Sequence, residues 1–193
     1  MTSLPKFGLL GLLRADLLRQ WTLAHGSNVH SPSVLRLVLI IVSPRFQPVL
    51  LCRLAYQCDR LGLSPIAKAF SFLNFLLFGI EIATRCPIGP GLFLPHTQGT
   101  VIGALSIGAN ATIYQGVTLG AKEVDFHYSE ASRPIIGDGV IIGSGAKVLG
   151  GVTIGDRVRI GANAVVNRSA KADTLLVGVP AKQIDIGQPD ETT

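Results

Sequence analysis

The chain has 193 residues and a formal net charge of +5, with 48% hydrophobic and 15% charged residues, enough for one core and an appendage. It holds no P-loop, no GxGxxG followed by a helix, and no basic–aromatic pattern typical of nucleic-acid binding. Its cysteines, Cys52, Cys58 and Cys86, have no metal-ligand spacing and form no even disulfide set. This favours a reducing compartment. No signal peptide is evident, so we expect a cytoplasmic protein.

Residues 1–80 form a region of predicted helices, separated by stretches that contain proline and glycine. The expected helices span residues 9–20, 33–42, 46–61 and 64–79. The two most apolar segments, 34–42 and 66–80, are shorter than the roughly 20 residues that cross a bilayer. Each is also interrupted by a basic residue, so we predict no membrane-spanning helix here.

The same region carries the whole basic excess of the chain. Residues 1–80 contain eight basic and two acidic residues, a net +6, whereas residues 81–193 contain nine and ten, a net −1. Two interpretations stay open at this point. The helices are buried against the following domain or another subunit, or they form a basic, apolar cap that contacts an anionic membrane, such as the inner face of the cell membrane.

The next part of the chain has a six-residue period of apolar residues. The series comprises Ile82, Ile88, Leu94, Val101, Ile107, Ile113, Leu119, Ile136, Ile142, Val148, Ile154, Ile160 and Val166. This period fits neither a helix nor a strand but is typical of hexapeptide repeats in a parallel β-helix, with about 18 residues per coil. We expect the periodic side chains to point inward, and the glycines that follow many of them to form turns with positive φ.

Two interruptions of the period are the expected sites of chemistry, because regular repeats serve as scaffold. In residues 94–101, seven residues replace six around His96, and a loop at residues 121–134 contains His127 and Arg133. A histidine on such a turn is either a solvated surface residue or a general base for a hydroxyl substrate. A zinc-dependent hydratase would need about three converging histidines, and the β-helix region has two.

Four segments carry a family resemblance. They are GIEIATRCPIGPGLFLPHTQGTVIG, ATIYQGVTLGA, RPIIGDGVIIGSGAKVLGGVTIGDRVRIGANAVV and VGVPAK. Together they resemble the serine acetyltransferase branch of the hexapeptide-repeat O-acetyltransferases. The resemblance implies a mainly β fold, a left-handed parallel β-helix preceded by a small α-helical region. The implied domains are residues 1–80, 81–184 and a short tail at 185–193.

The resemblance also implies partners and chemistry. It implies a homotrimer or a dimer of trimers, with acetyl-CoA as co-substrate in the groove between subunits and no metal. The family's catalytic histidine falls on His96, and the carboxylate that orients it falls on Glu81. A backbone N–H near Gly120 is the implied oxyanion donor. These residues would let a hydroxyl attack the thioester directly, with His96 as general base.

Further positions match the family's coenzyme groove. They are Ser144, Ala146, Ala162 and Lys182. Small side chains at such positions let the pantetheine arm approach the backbone, and the lysine ammonium suits a phosphate.

Two departures concern the acceptor. The family has an aspartate directly before the catalytic histidine and a His-Pro pair after the loop, but this chain has Pro95 and Arg133-Pro134. A substrate ammonium would lose a charge-assisted bond at Pro95, and Arg133 is suited to an anionic group. We therefore expect a sugar or glycan-precursor hydroxyl as acceptor, as in polysaccharide biosynthesis. Serine O-acetylation in cysteine biosynthesis and a catalytically inactive scaffold are the alternatives.

Overall fold

A computed structural model of the chain describes residues 8–26, 32–125 and 127–185. Four helices come first: α1 (Leu9–His25), α2 (Val34–Ile41), α3 (Gln47–Arg60) and α4 (Ser64–Phe78). The predicted helices are present, but α1 continues five residues beyond its predicted end and stops at Gly26, with φ of 87°. Glycine tolerates this backbone conformation and commonly ends helices. The predicted tail lies outside the described residues except for Asp185.

Thirteen short strands follow in the described part of the chain. They are β1 (Ile80–Ile82), β2 (Thr100–Ile102), β3 (Ser106–Ile107), β4 (Thr112–Ile113), β5 (Thr118–Gly120), β6 (Ile135–Ile136), β7 (Ile141–Ile142), β8 (Lys147–Leu149), β9 (Thr153–Ile154), β10 (Arg159–Ile160), β11 (Val165–Val166), β12 (Thr174–Val177) and β13 (Lys182–Asp185). They form three sheets, in the orders β1-β2-β5-β8-β11 (first sheet), β3-β6-β9 (second sheet) and β13-β12-β10-β7-β4 (third sheet). All pairings are parallel except β12 with β13. The chain thus winds through the three sheets in stacked coils, as a parallel β-helix.

The periodic apolar side chains fill the axis of this β-helix, as predicted. From Ile136 to Val166, every sixth residue is at most 3% exposed. The small residues four positions later are also buried: Val140, Ala146, Val152, Val158 and Ala164. Backbone hydrogen bonds run between coils, for example from the Gly143 amide to the Ile160 carbonyl at 2.8 Å. Each coil therefore depends on its neighbour for both backbone partners and core contacts.

The earlier part of the periodic series needs one correction. Val101 was expected on the axis, but it is 38% exposed, whereas Ile102 is 1% exposed and pairs with Leu119 of the next coil. Eight residues, not seven, therefore separate Leu94 from the next axis residue, and only five separate Ile102 from Ile107. Both side chains are apolar and β-branched, so the sequence does not distinguish them, and a shift by one residue reverses the face.

The glycines that follow the axis residues are needed for a different reason from the predicted one. The positive φ angles fall two residues later, at Gly139 (66°) and Gly145 (71°), and even at Arg157 (58°). Gly143 instead lies where a Cβ atom would come within 2.7 Å of the Ala162 amide nitrogen. Close approach of successive coils, rather than backbone conformation, requires glycine at this position.

A buried ion pair joins the helices to the first coil of the β-helix. The Arg53 guanidinium of α3 meets the Asp16 carboxylate of α1 at 2.9 and 3.0 Å, and both side chains are at most 2% exposed. Arg53 also donates to the carbonyls of Ile88–Gly89. Asp16 accepts from the amides of Gly91–Leu92 at 2.8 and 2.9 Å. Together these bonds satisfy a turn at the end of the stack that has no preceding coil.

We expect Arg53→Ala to destabilise the fold by about 3–5 kcal/mol, because it leaves the Asp16 charge buried without its partner. Urea unfolding measures this loss. The matched control is Arg157→Ala, which breaks the exposed Arg157–Asp173 pair (63% and 59% exposed) and should change stability little. Equal losses in the two variants would contradict the special role of the buried pair.

Candidate functional site

The turns that lead from the third sheet to the first form a column that we call the histidine corner (residues 95–99, 114–117, 143–146 and 161–164). Backbone bonds stack these turns: the Gly116 amide donates to Gln98 at 3.0 Å, and the Gly145 amide to Gln115 at 2.9 Å. The two extra residues before Ile102 lie in the first of these turns, which contains His96.

His96 projects from the first turn of this corner and is exposed. Its neighbour Thr97 is 9% exposed and donates its hydroxyl to the Phe78 carbonyl at 2.7 Å. The Gly99 amide donates to the Gly79 carbonyl at 2.9 Å. The turn is therefore anchored on the chain segment that enters β1, while the imidazole faces solvent. Pro95, directly before it, is half-buried.

Glu81 lies at the centre of β1, two residues after the segment on which the His96 turn is anchored. Its side chain is exposed, between the buried Ile80 and Ile82. Within the described residues, the side chains of Glu81 and His96 have no hydrogen bond or ion pair to another protein group. Both side chains lie on the outer surface of the β-helix, and their pairing is a proposal.

The predicted coenzyme residues differ in their surroundings. Ser144 and Ala162 occupy successive layers of the histidine corner, since the Asn163 amide donates to the Ser144 carbonyl at 2.8 Å. Ala162 is exposed, as is Lys182 at the start of β13. Ala146, in contrast, is fully buried. Its side chain belongs to the core, so we leave it out of the proposed groove.

Gly120 lies at the carboxyl end of strand β5, whereas the histidine corner precedes the amino ends of the strands of this sheet. It is half-buried, and a Cβ atom built on it would meet no atom within 4 Å. Open space therefore lies in front of its backbone. A ligand is able to approach this part of the backbone without steric conflict.

The loop that follows Gly120 is held against the β-helix by a cluster that we call the clasp: Asp125, Tyr128 and Arg133. The Arg133 guanidinium lies 3.7 Å from the Tyr128 ring centroid and 3.1 Å from the Asp125 carboxylate. Arg133 also donates to the Gly103 carbonyl at 2.9 Å, and the Tyr128 hydroxyl donates to the Ala104 carbonyl at 2.6 Å. The loop is thus fixed to the turn between the first and second sheets, which we call the loop corner.

The protonation states of the clasp suit this arrangement. Burial raises the pKa of the Tyr128 hydroxyl above its usual range, so it stays a donor. For Asp125, burial alone would raise the pKa. The Ser129 amide, the Ser132 hydroxyl and Arg133 outweigh this effect and hold the pKa below its ordinary value. At neutral pH the clasp therefore combines a carboxylate with a guanidinium.

A cleft of about 450 Å³ lies between this loop and the fourth coil. Its lining comprises Ala121, Lys122, Glu123, Val124, Asp125, Ala131, Ser132, Gly150 and Gly151. A Cβ atom on Gly151 would overlap the Ala131 carbonyl oxygen, so glycine allows the loop to lie this close. The cleft places the exposed Lys122 beside open space, although the sequence pattern did not single out this residue.

His96 and Arg133, both predicted to act on the acceptor, do not lie together in a single chain. His96 lies on the histidine corner, whereas Arg133 lies on the loop corner, and the two corners lie at opposite ends of the strands of the first sheet. The Arg133 side chain is also only 11% exposed and is bonded to its own loop. In this chain Arg133 holds the loop, and the predicted substrate contact stays unsupported by its surroundings.

Two further findings concern the part of the chain that the structure describes. Among residues 8–26, 32–125 and 127–185, no cluster of three or more His, Cys, Asp or Glu side chains is arranged to hold a metal ion. Within the same ranges, no helix has both the length and the apolar character that crossing a bilayer requires.

The chain is similar in sequence to known transferases. The family described as bacterial transferase hexapeptide (six repeats) matches residues 133–168. Serine acetyltransferase of Helicobacter pylori is 41% identical over 147 residues, covering 76% of this chain and 84% of the relative. Serine acetyltransferase of Synechococcus elongatus is 39% identical over 149 residues. The match covers 77% of this chain but only 60% of the length of that relative.

A solved structure extends the match to the helices. Serine acetyltransferase of Neisseria gonorrhoeae in complex with serine has a TM-score of 0.74 and 28% identity, covering 90% of this chain and 68% of that one. The stacked coils and the repeat match define a hexapeptide-repeat transferase with a left-handed parallel β-helix, which confirms the predicted fold class. The chain belongs to the serine acetyltransferase family.

The clasp gives a prediction about the loop. Arg133→Ala removes the stacking on Tyr128 and the bonds to Gly103 and Asp125, so we expect amide hydrogen exchange in residues 121–134 to accelerate by roughly ten-fold or more. Exchange in the coils at 135–166 should stay unchanged. The control is Arg159→Ala, an exposed arginine of β10. Unchanged exchange in the loop of Arg133→Ala would show that the clasp does not hold it.

Proposed function

We propose that this protein is an acetyl-CoA-dependent O-acetyltransferase whose acceptor is L-serine. The observation that carries the proposal is the exposed His96, presented by an interrupted turn of a β-helix that belongs to the serine acetyltransferase family. The open space before Gly120, the exposed Ala162 and the cation of Lys182 fit an extended thioester with phosphate groups. The residues present are therefore compatible with acetyl-CoA as co-substrate.

In the proposed mechanism, His96 accepts the proton of the acceptor hydroxyl while the oxygen attacks the thioester carbonyl carbon. Glu81 holds the imidazole and stabilises its cationic form. Backbone N–H groups near Gly120 stabilise the oxyanion as the C–O bond forms. The C–S bond then breaks, and His96 returns its proton to the departing thiolate, so that the imidazole is regenerated.

This mechanism needs more than one copy of the chain. Within one copy, His96 precedes the amino ends of the strands of the first sheet and Gly120 lies at the carboxyl end of β5, so that about 10 Å of strand separates them. A neighbouring copy that sets its loop corner against the histidine corner would bring the two groups together. We therefore propose a homotrimer with sites between subunits, in agreement with the expectation from the family resemblance.

The proposed acceptor, serine, differs from the sugar or glycan hydroxyl that the sequence led us to expect. The relatives reported above are all serine acetyltransferases, and one solved structure contains serine. These comparisons favour serine over a glycan, and they give no support to a role in polysaccharide biosynthesis. Pro95 still offers no carboxylate to an ammonium group, so we propose serine as a weakly held acceptor.

The first test concerns His96. We expect His96→Ala to lower thiol release from acetyl-CoA by about 10²-fold or more, because the hydroxyl loses its general base. Glu81→Gln should lower it by about ten-fold or more, since the carboxylate charge that stabilises the imidazolium is lost. His127→Ala, which removes an exposed histidine of the loop, is the control. Full turnover in His96→Ala would overturn the mechanism, and absence of turnover in the natural protein would favour an inactive scaffold.

The second test concerns the acceptor. We expect saturable acetylation of serine with a high KM, and Pro95→Asp should lower that KM by about ten-fold or more at similar kcat, by restoring a charge-assisted bond. Pro95→Asn is the control, because asparagine has the shape of aspartate but carries no charge. Product analysis by mass spectrometry with serine and a panel of sugars reports the acceptor. Acetylated sugar without acetylated serine would contradict the proposal.

A further inference from the structure

The cleft between the loop and the fourth coil presents two exposed side chains of opposite charge. Lys122 and Glu123 both line its volume of about 450 Å³. Small-molecule sites occupy about 300–1,000 Å³, so the cleft has room for a ligand. A third charged group of the lining, Asp125, is already bound to Arg133 at 3.1 Å. Among the residues that line the cleft, Lys122 and Glu123 are therefore the charges that remain for a ligand.

These two side chains have no partner within the part of the chain that the structure describes. No ion pair or hydrogen bond joins them to each other or to another described residue. The stem of Lys122 nevertheless has a defined place over the fourth coil, because a Cβ atom built on Gly150 would come within 2.9 Å of the Lys122 Cε atom. The clasp holds the same loop on the β-helix. Both charges are thus presented from an anchored segment.

The cleft begins directly after the proposed oxyanion position. Ala121, which follows Gly120, is part of its lining. Two residues of chain span at most about 7 Å, so the backbone of Lys122 lies within this distance of Gly120. An acceptor whose hydroxyl attacks a thioester at Gly120 would therefore have its other polar groups within reach of Lys122 and Glu123.

The charges of the cleft discriminate between classes of ligand. A phosphate of the coenzyme would be attracted by Lys122 but repelled by the adjacent Glu123. A neutral sugar would match neither charge, and removing both side chains from water for it would cost free energy. An α-amino acid carries an ammonium and a carboxylate on the same carbon atom, so it matches both charges at once.

We infer that this cleft binds the acceptor amino acid, with its carboxylate at Lys122 and its ammonium at Glu123. The inference rests on the proposed function, since it names residues that hold the acceptor of that reaction. Glu123 supplies the negative charge that Pro95 does not, and His96 of a neighbouring copy meets the hydroxyl. Water competes for both exposed side chains, which agrees with an acceptor that is weakly held.

Substrate analogues test the two contacts separately. Lys122→Met keeps the length of the side chain but removes the cation, and we expect the KM for serine to rise by about five-fold or more at similar kcat. With serinamide, which lacks the carboxylate, this variant should have the KM of the natural protein. Glu123→Gln should raise the KM for serine by about the same factor. It should leave the KM for 3-hydroxypropionate unchanged, because that analogue lacks the ammonium.

Two control variants lie outside the cleft. Lys171→Met removes an exposed lysine of the β-helix, and Glu130→Gln removes an exposed carboxylate of the same loop. Both should keep the KM for serine, and every variant should keep the KM for acetyl-CoA. A higher KM for acetyl-CoA in Lys122→Met, with that for serine unchanged, would overturn the inference, because the lysine would then contact a coenzyme phosphate.

Binding of serine, measured by saturation-transfer NMR, distinguishes failure of this inference from failure of the proposed function. If the natural protein acetylates serine, and Lys122→Met and Glu123→Gln bind and acetylate it equally well, the inference is wrong while the proposed function stands. If the natural protein neither binds nor acetylates serine, both are wrong. Loss of serine binding in the two cleft variants, with binding kept in the two controls, is the expected result.

Discussion

Coil-to-coil hydrogen bonding is the constraint on which the rest of this structure depends. No coil of the β-helix satisfies its own backbone groups, so each turn needs a turn before and after it. Axis residues such as Ile142 and Ile160 add apolar contacts along the same direction. At the first coil the stack has no earlier coil, and there the helices take over. Asp16 and Arg53 supply side-chain partners for the backbone of residues 88–92, which makes the helical region an end cap as well as an appendage.

The same constraint determines where inserted residues with catalytic or binding roles are able to lie. Within a strand, an added residue would break the ladder and reverse the buried face, so insertions accumulate at corners. The turn with His96 and the loop that begins after Gly120 are both of this kind. Each is then anchored by its own contacts, Thr97 to the helix end and the clasp to the loop corner. The repeat is rigid, and the two insertions carry the polar groups that a substrate would meet.

Much of the fold could be predicted from the six-residue period of apolar residues. The axis residues from Ile136 to Val166 and the position of His96 outside the regular coils follow from counting residues. Other features were not available. Val101 and Ile102 are both apolar and β-branched, so their register depended on pairing with Leu119. Ala146 matches a groove position in sequence but is buried, and Arg133, expected at a substrate, is bonded to its own loop.

The sequence by itself determined the stacked-coil architecture, the excess of basic residues before residue 80 and the candidate histidine. These are properties of residue order and composition, and they do not depend on how the chain folds. Only the tertiary structure decided that Asp16 pairs with Arg53 and that Tyr128 and Asp125 contact Arg133. It also decided that His96 and Gly120 lie at opposite ends of the strands of the first sheet. Asp16 and Arg53 are 37 positions apart in sequence, and no spacing rule pairs them. The two side chains meet because α1 and α3 pack together on the first coil, where both are shielded from water.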